Sequence, residues 1–111
     1  MKKLVVILVA FMASCKCEND ELMLNGVLLS KVDSLPITNY SLDLDYAQRV
    51  KGELGCGLNF RSISIRTNTS GGFMYNLKVA TNAHTVKITG KNQEVLYDSV
   101  ISDNLKLYVM P

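Results

Sequence analysis

Apolar and polar residues alternate along most of this chain after Tyr40. The clearest run is Tyr40–Tyr46, in which Tyr40, Leu42, Leu44 and Tyr46 share one face. Asp43 and Asp45 share the other face, where we expect them to be solvated. A two-residue period is typical of a half-buried strand. Turn-forming residues interrupt the alternation about every 8–12 residues, which predicts an all-β fold, a small antiparallel β-sandwich or barrel of about seven strands.

The same alternation predicts the other strands and the side chains that they bury. The further strands are Gly26–Val32, Leu58–Thr67, Phe73–Thr81, Thr85–Thr89, Glu94–Val100 and Leu105–Val109. The side chains expected to face inward on the later strands are Phe73, Tyr75, Leu77, Val79, Val86, Ile88, Val95, Tyr97, Leu105, Leu107 and Val109.

Two segments leave alternatives open. Residues 47–54 fit either a short helix or a continuing strand, and the glycines of residues 55–57 predict a tight turn or bulge. In the strand Leu58–Thr67, the apolar positions change face midway, from Leu58 and Phe60 to Ile63 and Ile65. Because a two-residue period cannot hold both pairs on one side, we expect either a bulge near Arg61–Ser62 or a strand buried on both faces.

The N-terminus has the organisation of a secretory signal. Lys2 and Lys3 precede an apolar run, Leu4–Ala13, and charged residues follow soon afterwards. The run is shorter than the roughly 20 residues that a membrane-spanning helix needs. The alternative is a buried strand or helix at the start of a cytosolic domain.

The end of this run, Met12-Ala13-Ser14-Cys15, resembles the lipobox of bacterial lipoproteins. The resemblance implies that residues 1–14 are removed as a signal peptide and that Cys15 is acylated. Two or three acyl chains give a durable membrane anchor, whereas one chain binds only marginally. We then expect a flexible tether over residues 15–25 and the β-sandwich over residues 26–111, although Leu22–Leu24 is an alternative start for the first strand.

The residues after Cys15 bear on the location. By the same resemblance, Lys16 in the second mature position implies sorting to the outer membrane, because aspartate there retains a lipoprotein in the inner membrane. The charged segment Lys16–Glu21 also resembles a surface-export signal. The sequence leaves open whether the domain faces the periplasm or the cell exterior.

The charge balance excludes one class of partner. The chain has 12 basic and 10 acidic residues, and loss of Lys2 and Lys3 with the signal leaves ten of each. Nucleic-acid binding needs a clustered basic face, so we expect no nucleic-acid partner. Near-neutrality also argues against a patch for anionic lipids.

Few residues offer chemistry. Cys17 and Cys56 either form a disulfide, which would hold the domain close to the bilayer, or stay unpaired. His84 is the only histidine, it lies in a predicted turn, and no acid flanks it closely. Metal sites and activated nucleophiles need partners at defined spacings. We therefore expect no catalytic residue, no metal and no cofactor.

One weak contact surface stands out. Tyr108 is out of phase with the inward-facing Leu107 and Val109, and tyrosine is enriched at interfaces. Together with Gly71 and Gly72, from the glycine-rich loop 68–72, it is the candidate contact surface.

The sequence thus favours a lipid-anchored envelope lipoprotein whose domain is a non-catalytic binding module for an envelope protein. Two alternatives stay open. One is a receptor-occluding lipoprotein of the kind that prophages use for superinfection exclusion, which this chain resembles in size and anchor. The other is a small inhibitor of an envelope enzyme.

Overall fold

The computed structural model describes residues 17–52 and 55–111, which form seven strands and no helix. The strands are β1 (Asn19–Ser30), β2 (Ser41–Gly52), β3 (Gly55–Arg66), β4 (Gly72–Ala80), β5 (Thr85–Thr89), β6 (Val95–Val100) and β7 (Leu105–Val109). The predicted all-β sandwich of about seven strands is confirmed. Within the described ranges, no helix has the length and apolarity to cross a membrane.

The strands form two sheets, with the orders β4-β1-β7 and β3-β2-β5-β6. All neighbouring strands are antiparallel except β1 and β7, whose segments Gly26–Ser30 and Leu105–Val109 run parallel. The chain enters β7 from the four-stranded sheet, and a crossover of this kind does not impose the antiparallel geometry of a hairpin. The expectation of a purely antiparallel sandwich is therefore wrong for this one pair.

The core lies between the two sheets and follows the predicted alternation. Tyr40, Leu42, Leu44 and Tyr46 are buried, while Asp43 and Asp45 are on the outer face of β2. The other buried apolar side chains of the core cluster are Leu24, Leu28, Phe73, Leu77, Val79, Val86, Ile88, Leu107 and Val109.

The predicted tether is wrong from Asn19 onward. Residues 19–27 pair with β4 in an unbroken antiparallel register, from Asn19 opposite Ala80 to Val27 opposite Gly72. Leu24 is buried and Leu22 packs against the core, so their side chains face inward. Its polar residues are compatible with a strand because they lie at the end of the sheet and on its outer face.

The ambiguous residues after Tyr46 continue β2 as a strand up to Gly52. Gly52 lies opposite Gly55, and residues 53 and 54 are outside the described ranges. Gly55, with a φ of 113°, begins β3, and Gly57 lies within the strand. The turn or bulge predicted at residues 55–57 is therefore wrong, since all three residues pair with β2 in an unbroken register.

No bulge interrupts β3. The register with β2 is continuous from Ser41 opposite Arg66 to Gly52 opposite Gly55, so the bulge predicted near Arg61–Ser62 is wrong. Leu58 and Phe60 are exposed, so the alternative of a strand buried on both faces is also wrong.

A register shift occurs instead between β5 and β6, at Ile88 and Thr89. The extra residue, Leu96, lets Tyr97 pair with Ile88 on the core side. Val95 then pairs with Thr89 and is exposed, contrary to the prediction that it faces inward.

Tyr75 is a second exception among the predicted core residues. It has the same phase as the buried Phe73 and Leu77, yet 39% of its surface is exposed. β4 is an edge strand with a neighbour on one side only, so the core does not cover every side chain on its inner face.

Candidate contact surfaces

The structure joins Cys17 to Cys56 by a disulfide, with 5.4 Å between their Cα atoms. Cys17 comes two residues before β1, in the three-stranded sheet, and Cys56 is the second residue of β3, in the four-stranded sheet. The bond therefore fastens the start of β1 to the other sheet near the β2–β3 turn. Cys15 and residues 1–14 lie outside the described ranges.

Asn19 reinforces this junction. Its side-chain nitrogen donates to the carbonyl oxygen of Arg49 (3.1 Å), and its side-chain oxygen accepts from the Arg49 backbone N–H (2.7 Å). β5 pairs with β2 only at residues 43–45, which leaves the edge of β2 without a strand partner around Arg49. The Asn19 amide satisfies both backbone groups there, as a neighbouring strand would.

A third link is a hydrogen bond between Asp20 on β1 and His84, which lies just before β5 of the other sheet. His84 Nε2 lies 2.7 Å from Asp20 Oδ2, and both side chains are partly exposed, at 39% and 43%. The sequence offered no acid near His84, because Asp20 is 64 residues away along the chain. The acidic partner of His84 therefore comes from β1 and not from the residues that flank it in the sequence.

The junction lies on the part of the β2–β3 hairpin that extends past β5, an arm that we define as residues 47–52 and 55–60. Pairing with β5 stops at Asp45, so in the arm β3 is the only strand that pairs with β2. On one face of the arm, Arg49 lies opposite Leu58 and Lys51 lies opposite Cys56.

The apolar side chains on this face of the arm are poorly covered. Phe60 is 79% exposed and Leu58 is 48% exposed. An open groove of about 660 Å³ lies beside the arm, and its lining includes Cys56 and Leu58 from this face and Val50 from the opposite face.

Tyr108 lies on the outer face of the three-stranded sheet and is 43% exposed. It is opposite Leu29 on β1, and Gly72 is opposite Val27 two residues away, on the other side of β1. The structure therefore brings Tyr108 and Gly72 to one face. Half-buried and exposed apolar side chains on that face are Met23, Val27, Leu29 and Met74, and its charged residues are Glu21, Lys78 and Lys106.

Gly71 does not belong to this surface, because it is buried. Its φ is +73°, and an added Cβ would lie 2.8 Å from both the Leu28 carbonyl oxygen and the Pro36 Cβ. The side-chain oxygen of Asn68 accepts hydrogen bonds from the N–H groups of Ser70 and Gly72, which closes the loop. Gly71 thus shapes the loop 68–72 and offers no contact surface.

In the described part of the chain, few other side chains lie close enough together to act jointly in catalysis. A second open groove, of about 570 Å³, has Arg66 and Lys91 on its wall. Arg66 donates to Asn39, and the Lys91 ammonium lies 5.3 Å from the centroid of the Tyr40 ring. Across residues 17–52 and 55–111, no group of three or more His, Cys, Asp or Glu residues is placed to hold a metal ion.

Comparison with known proteins finds no matching family model, no similar curated protein and no similar solved structure. The function must therefore be argued from the chain itself.

Two contacts near the start of β1 were not predicted from the sequence, that of Asn19 with Arg49 and that of Asp20 with His84. They join residues 30 and 64 positions apart. Strand periodicity shows which face a side chain occupies but not what lies across the sandwich, so neither contact has a local signal.

Proposed function

We propose that this protein is a lipid-anchored lipoprotein of the bacterial envelope and that its β-sandwich is a non-catalytic binding module for an envelope protein. The lipobox-like residues Met12–Cys15 support the anchor. The disulfide between Cys17 and Cys56 supports an oxidising compartment, because disulfides persist mainly outside the cytosol.

The observation that carries the binding role is the exposed apolar face around Tyr108. Cys56 shares a face of β3 with the residues opposite Asp43 and Asp45, so it lies on the outer side of the four-stranded sheet. Tyr108 lies on the outer side of the three-stranded sheet. The outer faces of a sandwich point in opposite directions, so a domain held at Cys17–Cys56 would present Tyr108 away from its anchor.

The Tyr108 face also has the composition of a contact surface. Tyrosine and methionine are enriched in interface centres, and charged residues are more common at the rim. Lys106 lies next to Tyr108 on the same face and provides such a rim charge.

The anchor is tested by intact mass and membrane fractionation of the wild type beside Cys15→Ala. We expect the wild type to lose residues 1–14, to gain the mass of acyl chains and to sediment with the outer membrane. The variant should gain no acyl mass and should leave the membrane fraction. A wild-type chain that keeps Met1 and stays in the cytosol would refute the proposal.

The binding role is tested by placing a photo-crosslinking amino acid at Tyr108 in living cells of the native host. We expect one discrete crosslinked envelope protein, and a matched probe at the exposed loop residue Val32 should not capture it. Lys106→Glu should weaken the crosslink, whereas Lys91→Glu, in the turn between β5 and β6, should not. Equal capture from both probe positions would count against a specific surface.

The identity of the captured protein separates the alternatives. An outer-membrane receptor, together with phage resistance on expression, would favour the receptor-occluding role. An envelope enzyme whose activity falls on binding would favour an inhibitor.

A further inference from the structure

We propose that the arm, residues 47–52 and 55–60, lies against the membrane surface and inserts Phe60 and Leu58 among the lipids. This inference rests on the proposed function, because it takes Cys15 as the acylated residue. The occupant that we assign to the exposed face of the arm is therefore a lipid surface.

The first argument is the short chain between the anchor and the arm. Cys15 and Cys17 are two residues apart, a separation that spans at most about 7 Å. The Cα atoms of Cys17 and Cys56 are 5.4 Å apart. Cys56 therefore lies within about 13 Å of the acylated residue. The polar headgroup region of a bilayer leaflet is about 5–8 Å thick, so Cys56 is held at the headgroups or just outside them.

The second argument is the side of β3 that carries the exposed apolar residues. Leu58 and Phe60 follow Cys56 at intervals of two, so all three side chains share one face of the strand. Successive members of this row are about 7 Å apart. The most exposed large side chain of the row, Phe60, thus lies on the same face as the disulfide that holds the domain near the bilayer.

This placement also explains why the apolar positions of β3 change face. Ile63 and Ile65 lie opposite Leu44 and Leu42 and pack against the core. Leu58 and Phe60 lie beyond the end of β5, on the outer face, where the described residues of the domain bury neither of them. The second half of β3 therefore contributes apolar side chains to the core. Its first half exposes apolar side chains that can enter an apolar environment outside the domain.

The third argument is the charge beside the apolar row. Arg49 and Lys51 lie opposite Leu58 and Cys56 on the same face. Arginine and lysine can place an apolar stem along lipid and a charged end at the phosphates. The described residues of the arm include no acid, and the sequence has one acid, Glu53, between its two described segments. The net charge of the domain is near zero, but these two cations lie where phosphates would be.

The test uses the absence of tryptophan from this chain. Phe60→Trp introduces a single fluorophore into the arm. Met74→Trp, at a 65% exposed position on the outer face of the other sheet, is the matched control. Both full-length proteins are purified from membranes in acylated form and reconstituted into phosphatidylethanolamine–phosphatidylglycerol vesicles with and without brominated acyl chains.

We expect brominated lipid to quench the Phe60→Trp protein at least about twofold more than the Met74→Trp protein, because only the arm reaches the acyl boundary. Aqueous iodide should quench the Met74→Trp protein more strongly. A Phe60→Trp protein that iodide quenches freely and brominated lipid does not would overturn the inference. Shielding from both quenchers would also overturn it, because it would mean that protein covers the arm.

A second variant tests the role of the disulfide. Adding Cys17→Ser and Cys56→Ser to Phe60→Trp lengthens the effective tether, so quenching by brominated lipid should fall. Unchanged quenching would refute the claim that the disulfide positions the arm.

Failure of the inference is distinguishable from failure of the proposed function. If the protein carries acyl mass and floats with vesicles, but the Phe60→Trp fluorophore stays in water, the anchor stands and the arm contact is wrong. If acyl mass and flotation are both absent, the anchor itself is wrong.

Discussion

At the scale of single residues, Gly26 shows how closely the three-stranded sheet is packed. It pairs with Phe73 on β4 and with Leu105 on β7, and it occupies an inward-facing position. An added Cβ would lie 2.6 Å from the Leu105 carbonyl oxygen and 2.8 Å from the Phe73 ring. The Phe73 ring fills the space that a side chain on β1 would otherwise take.

We therefore expect Gly26→Ala to lower the free energy of unfolding by about 1–3 kcal/mol, the usual cost of overpacking a core. Gly57→Ala is the matched control, since no heavy atom lies within 4 Å of its added Cβ. Urea unfolding midpoints give the comparison. Equal midpoints for the two variants would show that the sheet relaxes around the new methyl group at little cost.

Thr67 is a polar residue that is buried, with 4% of its surface exposed. Its hydroxyl accepts from the Tyr40 backbone N–H (2.9 Å) and donates to the Ile37 carbonyl oxygen (2.7 Å). It thereby joins the end of β3 to the segment that leads into β2. Burial is tolerated because the hydroxyl satisfies both backbone groups.

At the scale of elements, the disulfide between Cys17 and Cys56 restricts the unfolded chain. The two cysteines are 39 residues apart, so the bond closes a long loop. In the chain-entropy model, closing a loop of that length stabilises the fold by about 4 kcal/mol. We expect the double variant Cys17→Ser, Cys56→Ser, in a chain that begins at Lys16, to lose up to that amount in urea unfolding.

The matched measurement repeats the urea unfolding of the parent chain and of the double variant under conditions that reduce the disulfide. A reducing agent should lower the urea midpoint of the parent chain and leave that of the double variant unchanged. A parent midpoint that does not respond to reduction would show that the hydrogen bonds of Asn19 with Arg49 hold the junction without the disulfide.

At the scale of the whole molecule, the two sheets meet through the core and through contacts at the end where β1 begins. Gln48 donates from β2 to the carbonyl oxygen of Lys78 on β4 (3.1 Å), and His84 pairs with Asp20. Within the three-stranded sheet, Thr81, just after β4, donates through its backbone N–H and its hydroxyl to the carbonyl oxygen of Glu18, just before β1. These contacts surround the point at which the chain passes towards its proposed anchor.

The contact of His84 with Asp20 should contribute little by itself. About two fifths of each side chain is exposed, and exposed pairs typically contribute about 0.2–1 kcal/mol. We expect a double-mutant cycle of His84→Ala and Asp20→Ala to give a coupling energy within that range. A coupling well above about 1 kcal/mol would show that the pair is less hydrated than its exposure implies.

Several features of this protein follow from local patterns in the sequence. A two-residue period assigns side chains to faces, so the buried positions of β5 and β7, and those of β2 apart from Ala47, were predictable without a structure. The same period gave the number of strands. The glycine-rich segment after Asn68 indicated a loop, because glycine admits the positive φ that Gly71 adopts.

Other features depend on which strand meets which, and no local pattern contains that information. The parallel pairing of β7 with β1, the contact of His84 with Asp20 and the partner of Cys17 all join distant parts of the chain. The change of face in β3 was visible in the sequence, but its cause was not. Ile63 and Ile65 lie over the core while Leu58 and Phe60 lie beyond β5, because β5 pairs with β2 only over residues 43–45. Whether a side chain is buried depends on the arrangement of all the strands. Only the tertiary structure therefore decides which part of the β2–β3 hairpin extends past β5.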